Sequence, residues 1–295
     1  MRQTHFPGLP CLELTLGDLS LLLTTSVGPR VLALRVMGEN LFAELPEATL
    51  DHPDGRKFHL YGGHRLWYAP EISAVTYLPD DEPVRVEKID GAVRLTQPLE
   101  TGTGMQKAIT VGFEEDGMIR VEHALTNRGD REIVCAPWAI TQFKPGGTAI
   151  LPLPERIPGF SDYQPNRALG LWPYTDITDP HLRLGNRFVF VEADRPAGAL
   201  KIGGPNPDGW LAYHRHGLLF VKFATYDPEA AYFDLGASSQ VYSNPQFLEL
   251  ETLGPKVTLR SGETTRHVET WRVYRDVEFD GTEAGAEILS FMLKK

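Results

Sequence analysis

The sequence predicts an all-β fold, and three observations carry that expectation. Apolar and polar residues alternate with period two in run after run along the 295 residues, which puts successive side chains on opposite faces of a strand. Asp-Gly pairs at 90–91 and 116–117 each sit between two such runs, and that dipeptide readily takes the positive φ angles of a type I′ hairpin turn. Helical periodicity is credible only at the end of the chain.

The elements follow in order. Leu12 to Leu16 alternates cleanly, and Val31 to Met37 is the next strand. Val84 to Ile89 and Ala92 to Thr96 form a hairpin about Asp90-Gly91, and Ala108 to Phe113 with Met118 to Leu125 form a longer one about Asp116-Gly117. Further strands are expected at Phe188 to Glu192, Gly217 to Phe223 and His267 to Tyr274. Glu283 to Lys294 reads as the single helix, with Ile288, Phe291 and Met292 at helical spacing. From Pro152 to Gly209 prolines recur and only one good strand stands out, so much of the segment reads as long loops. Such loops serve either as binding lids or as stiffened surface excursions, and this one brings Tyr163, Trp172, Tyr174 and Trp210. No linker or repeat divides the chain, so residues 1–295 are expected to form one domain.

A hydrophobic share of 42% and a charged share of 23% are those of a soluble globular protein. The net charge of -10 disfavours nucleic acid or an anionic membrane as partner, because both recruit basic proteins. Cys11 and Cys135 show no Cys-x-x-Cys pattern, which leaves two free core thiols as the expectation. Met1 to Pro10 lacks the apolar core of a secretory signal, and no window approaches 18 uninterrupted apolar residues, so cytoplasmic residence is expected.

The segment Gln246 to Pro255 points to chemistry. Strand alternation places Phe247, Glu249 and Glu251 on one face and Leu248 and Leu250 on the other. Carboxylates two apart on a strand lie roughly 7 Å from one another, near enough to raise each other's proton affinity or to grip one ligand together. An ordinary solvent-facing pair of glutamates is the competing reading.

Tyr61-Gly-Gly-His-Arg-Leu-Trp-Tyr-Ala-Pro-Glu71 concentrates functional residue types. Its glycines permit close backbone approach, Arg65 offers planar donors suited to vicinal hydroxyls, and Trp67 or Tyr68 suits the apolar face of a sugar ring. Core packing of Trp67 and an Arg65–Glu71 pair would account for the same residues. Lys222 lies within an apolar strand and should face solvent or a polar cleft, where it would balance Glu249 or Glu251. His214 and His216 share strand parity with a metal-ligand pair, yet no third ligand follows, and His52 and His59 read as loop residues. No Gly-x-Ser-x-Gly elbow, dinucleotide fingerprint or phosphate loop occurs, and the glycines of Thr101-Gly-Thr-Gly104 precede a strand. No metal and no cofactor is expected.

These residues resemble the galactose-mutarotase-like (aldose 1-epimerase-like) superfamily, over nearly the whole chain. Val27-Gly-Pro-Arg-Val-Leu-Ala-Leu-Arg-Val looks like its early strand passage, and Gly62-Gly-His-Arg-Leu-Trp-Tyr-Ala-Pro-Glu lies where it has a substrate-binding arginine. Phe247-Leu-Glu-Leu-Glu251 resembles the strand ending in its catalytic glutamate. The match extends to a branch with a Gly-Gly-x-x-Leu-Trp-x-x-Pro-Glu loop, a late Glu-x-Glu strand and a Leu-x-x-Gly-Glu segment, here Leu259 to Glu263, before Trp271. The resemblance implies a large antiparallel β-supersandwich that binds a monosaccharide, free or phosphorylated, with Glu251 as general base supported by Glu249. Arg65, Gln142 and Lys222 would contact hydroxyls, and Trp67 or Trp138 would stack. One departure stands out: the superfamily's mid-chain catalytic histidine has no counterpart in Ala136 to Pro145. The general acid would then come from His64 or Lys144, or the chain would bind a sugar without catalysis. A metal-dependent enzyme using His214 and His216 is the remaining alternative.

Overall fold

Alternation becomes strand, and every strand pairing is antiparallel, in the computed structural model, which describes residues 1–155 and 165–294. Tyr163 lies outside the described residues. Ten strands form the path of the first sheet, in the order Arg2–His5, Pro10–Leu16, Leu19–Thr24, Arg30–Val36, His64–Ala69, Ile133–Phe143, Leu248–Leu253, Ser239–Ser243, Leu200–Gly204 and Gly170–Leu171, with two short strands off it. The second sheet runs Leu182–Leu184, Phe188–Glu192, Thr148–Pro152, Trp210–Arg215, Leu218–Ala224, Thr264–Tyr274, Ile119–Asn127, Met105–Phe113, Ala92–Thr96 and Arg85–Ile89.

The largest core lies between the two sheets. Leu66, Phe143, Leu248 and Leu250 from the first pack with Val121, Phe220 and Trp271 from the second. The opposite face of the first sheet is covered by the hairpin of Glu44–Asp51 and Lys57–Gly62, through Leu45, Phe58 and Leu60 on Trp67, Trp138 and Ile140. The outer face of the second sheet is covered by the Glu283–Leu293 helix, which sets Ala286 and Leu289 against Phe188, Trp210 and Val221. Burial of the apolar faces between the sheets, beneath the hairpin and beneath the helix is what fixes strand register, since a slip of one residue would turn every side chain to the wrong face.

Local chemistry accounts for the joints. Asp90 and Gly91 both take positive φ, 39° and 80°, as a type I′ turn requires. The second hairpin differs from expectation: only Gly117 is positive, at 83°, and its amide closes the turn on the Glu114 carbonyl, the geometry of a longer loop. Thr282 caps the helix by accepting from the Gly285 amide. Of the apolar residues at helical spacing, Met292 packs inward as expected, but Ile288 and Phe291 are exposed while Ala286 and Leu289 are buried. The proline-rich segment holds more strand than expected, including Leu200–Gly204. Cys11 and Cys135 are free and buried, and burial pushes both thiols up to about 11. Among the described residues no helix is long and apolar enough to cross a membrane.

Candidate functional site

Strand parity builds the site on the hairpin-covered face of the first sheet. In the Ile133–Phe143 strand, Trp138, Ile140 and Gln142 point to that face. Its register sets Arg65 and Glu251 on either side of Ile140, with Trp67 beside Trp138 and Glu249 beside Gln142. Five strands therefore deliver Arg65, Trp67, Trp138, Gln142, Lys201, Tyr242, Glu249 and Glu251 to one surface. Gly62 and Gly63 enable the first of them, because φ is 89° and 72° and a Cβ at Gly62 would stand 1.9 Å from the Ala43 carbonyl oxygen. The close approach that these glycines permit is to the chain's own backbone.

Over this surface lies a cavity of about 480 Å³. Its wall combines Trp67, Tyr77, Trp138, Trp172, Tyr174, Tyr242 and Phe247 with Arg65, Lys201, Glu71 and Glu249. The rings fall into two groups: Trp67 meets Trp138 at 5.4 Å and Tyr77 at 5.6 Å, and Tyr242 meets Tyr174 at 6.4 Å and Phe247 at 5.8 Å. At the rim the Tyr77 hydroxyl donates to Glu71 at 2.5 Å.

Two ion pairs organise the floor. Arg65 donates through Nη2 to Glu249 Oε1 at 3.0 Å, Gln142 Nε2 donates to the same oxygen at 2.9 Å, and the guanidinium lies over the Trp67 ring at 4.2 Å. Lys201 Nζ donates to Glu251 Oε2 at 2.7 Å, and Trp138 Nε1 donates to that oxygen at 2.6 Å. The Lys201 ammonium lies 4.5 Å from the Trp138 ring and 4.7 Å from the Trp172 ring. Glu251 is wholly buried, and Lys201 and Trp138 form the wall in front of it. Burial above all, aided by the Glu249 charge, pushes the Glu251 carboxyl up to about 7 against the pull of Lys201 and Trp138.

Several polar atoms of this floor have no partner among the described residues. Arg65 Nε and Nη1 and Trp67 Nε1 are unmatched donors; Glu251 Oε1 and Gln142 Oε1 are unmatched acceptors. Buried polar atoms left in this state are costly unless a ligand or water completes them.

Of the residues anticipated from sequence, Arg65, Trp67, Trp138, Gln142, Glu249 and Glu251 come together. Three do not. His64 precedes Arg65 on its strand and therefore faces the inter-sheet core, where its Nδ1 lies 2.8 Å from Thr141 Oγ1 and its Nε2 2.7 Å from His123 Nε2. Lys222 is also in that core, 2.9 Å from Glu269 Oε1. Lys144 pairs with Glu44 at 2.7 Å and lies off the cavity wall. The sequence reading missed Lys201, whose short strand sits in the proline-rich segment; Leu200-Lys201-Ile202 alternates, but over three residues only. Trp172 and Tyr174, from that same segment, do line the cavity.

His214 and His216 form no ligand pair: His214 Nε2 donates to the Val277 carbonyl at 2.8 Å, and His216 occupies a turn with φ of 49°. Among the described residues, His64, His123 and Glu269 bring one ligand-type atom each within 4.8 Å of one another. Their polar atoms are already engaged. His123 Nδ1–H donates to the His267 carbonyl at 3.0 Å, so its Nε2 is the acceptor for His64, while Glu269 takes Lys222, Trp271 Nε1 and Thr252 Oγ1. Burial holds His64 well below its ordinary range and His267 down to about 3. Neutral imidazoles in a completed hydrogen-bond network, with an ammonium against the carboxylate, fit this set better than a cation does.

No protein-family profile matches the sequence, and no curated protein matches it either. Solved structures do. A TPR-domain containing protein from Parabacteroides distasonis superposes with a TM-score of 0.62 at 13% identity, over 92% of this chain and 48% of that one, so the chain spans about half its length. A candidate aldose 1-epimerase from Escherichia coli K12 gives 0.55 at 14% identity, over 90% and 99% of the two chains. A galactose mutarotase-like protein from Lactobacillus casei gives 0.55 at 12% identity, over 90% and 100%. At such identities the likeness is one of architecture, and the architecture of this chain is the large antiparallel β-sandwich of the galactose mutarotase-like and aldose 1-epimerase-like proteins.

Proposed function

We propose that this chain is a carbohydrate-binding protein of the aldose epimerase type, which interconverts the anomers of a monosaccharide by general acid–base proton transfer. The observation that carries the reading is the pair of unmatched donors, Arg65 and Trp67, on the wall of an aromatic-lined cavity, with the unmatched acceptors of Gln142 and Glu251 buried beside them in the same sheet face. Hydroxyls accept from the free donors of Arg65 and Trp67, and unlike a phosphate or carboxylate they also carry a proton to give to the Glu251 side of the site, as a polyol would. Both cations of the wall are already matched, Arg65 by Glu249 and Lys201 by Glu251, which favours an uncharged sugar. Aromatic rings stack on the apolar faces of such rings.

In this reading Glu251 is the general base, with its proton affinity placed near neutral pH by burial. Glu249 holds Arg65 in position for hydroxyl recognition. Glu251→Gln keeps the shape and removes the base, so turnover should fall about 10² to 10⁴ fold while sugar affinity survives. Exchange NMR on freshly dissolved D-glucose, D-galactose and other aldoses, run beside calorimetric titration, tests both halves. A second reading, a sugar binder without catalysis, draws on one observation: among the described residues no histidine lines the cavity. Binding by the wild type without any acceleration of anomer exchange would select it.

A further inference from the structure

We infer that Lys201 is the general acid of this site, the group that gives a proton to the ring oxygen of the sugar. The inference rests on the anomer-exchange reading above and extends it to the residue that sequence comparison leaves missing.

Ring opening moves two protons. A base removes the proton of the anomeric hydroxyl, and an acid protonates the ring oxygen as the bond between that oxygen and the anomeric carbon breaks, its electron pair leaving with the oxygen. The hydroxyl oxygen becomes a carbonyl. Both oxygens are bonded to one carbon, so the acid and the base that serve them have to be neighbours. Lys201 Nζ and Glu251 Oε2 are 2.7 Å apart. When the ring closes on the other face of the carbonyl, the amine recovers its proton from the ring hydroxyl and the carboxylic acid returns its own, so no further reactant is consumed.

The other groups of the wall are less suited. Arg65 does not release a proton at working pH. The Tyr77 hydroxyl is committed to Glu71, and burial raises the Tyr174 and Tyr242 phenols above their ordinary range. Lys201 lines the cavity, in front of Glu251. One hydrogen bond to Glu251 leaves the remaining ammonium protons for a ligand. Contact with both the Trp138 and Trp172 rings holds the ammonium in place at the cavity wall.

A structural role predicts something different, and two variants separate them. Lys201→Arg keeps the positive charge and the pair with Glu251 but gives up no proton, so kcat for the best aldose should fall at least 10² fold with KM changed less than about threefold. Lys201→Ala, checked for an unchanged circular dichroism spectrum, should lose activity similarly and regain it in proportion to added ethylammonium. Lys201→Arg retaining kcat within about threefold of wild type, or Lys201→Ala showing no response to ethylammonium, overturns the assignment while anomer exchange itself stands. A wild type that accelerates exchange of none of the aldoses removes both this inference and the reading beneath it.

Discussion

Arg65 and Glu251 both stand opposite Ile140, on strands flanking it, yet Arg65 leans away from Glu251 and donates to Glu249, 184 residues along the chain. That choice leaves Glu251 to Lys201 and divides the floor into two ion pairs, which the proposed function assigns to recognition and to proton transfer. The two pairs should respond differently to mutation.

Arg65→Lys preserves a charge for Glu249 but replaces a planar fork with a single ammonium. Aldose affinity by calorimetry should fall about tenfold or more, from the loss of multidentate donation, with kcat at saturation less affected.

Because Glu251 is pushed up to about 7, kcat should rise with pH through that value as the carboxyl loses its proton. Trp138→Phe removes an N–H donor that stabilises the carboxylate, so the midpoint should move upward, by about one unit. A midpoint that stays in place would show that Glu251 does not set the profile.

The inter-sheet pair should govern stability. Lys222→Met strands the Glu269 charge in a fully buried setting, a loss of about 3–5 kcal/mol in urea unfolding. Adding Glu269→Gln should recover a large part of it, since the second change removes the uncompensated charge.

Acid should unfold the protein through its histidines. The folded state holds His64, His123 and His267 below their ordinary value of 6.5, so the unfolded chain takes up protons that the folded one refuses. Their contribution is fully present above about 6.5 and is lost as pH falls toward the value of about 3 for His267. Glu251 acts in the opposite sense, its raised value weakening the fold as pH rises from its ordinary 4.5 to about 7. Urea midpoints measured from pH 7 down to pH 4 should therefore decline in wild type and decline less in His267→Gln.

Much of this was legible in the residues. Alternation marked the Leu248–Leu253 strand and gave the shared face of Glu249 and Glu251, and the density of Tyr61 to Glu71 marked Arg65 and Trp67. The same alternation rules out His64 once Arg65 is in the site, because neighbours on a strand face opposite ways. Lys201 was hidden by context, on a five-residue strand ending in Gly-Gly and surrounded by prolines. Lys222 was ambiguous for another reason: its partner Glu269 is on the adjacent strand, in the Thr264–Tyr274 run, and no local pattern announces a long-range ion pair.

The ordering of strands has a consequence for how the cavity comes into being. Arg65, Trp138, Lys201 and Glu251 belong to four strands that the chain supplies at widely spaced points, with Glu251 on one of the last. No hairpin contains the cavity floor, and a fragment ending before Leu248 lacks both Glu249 and Glu251. Closing such distant contacts is slow relative to forming local ones. Ligand affinity in a refolding experiment should consequently appear late, after strand signal is largely complete, which makes sugar binding a gauge of whether the last strands have reached their register.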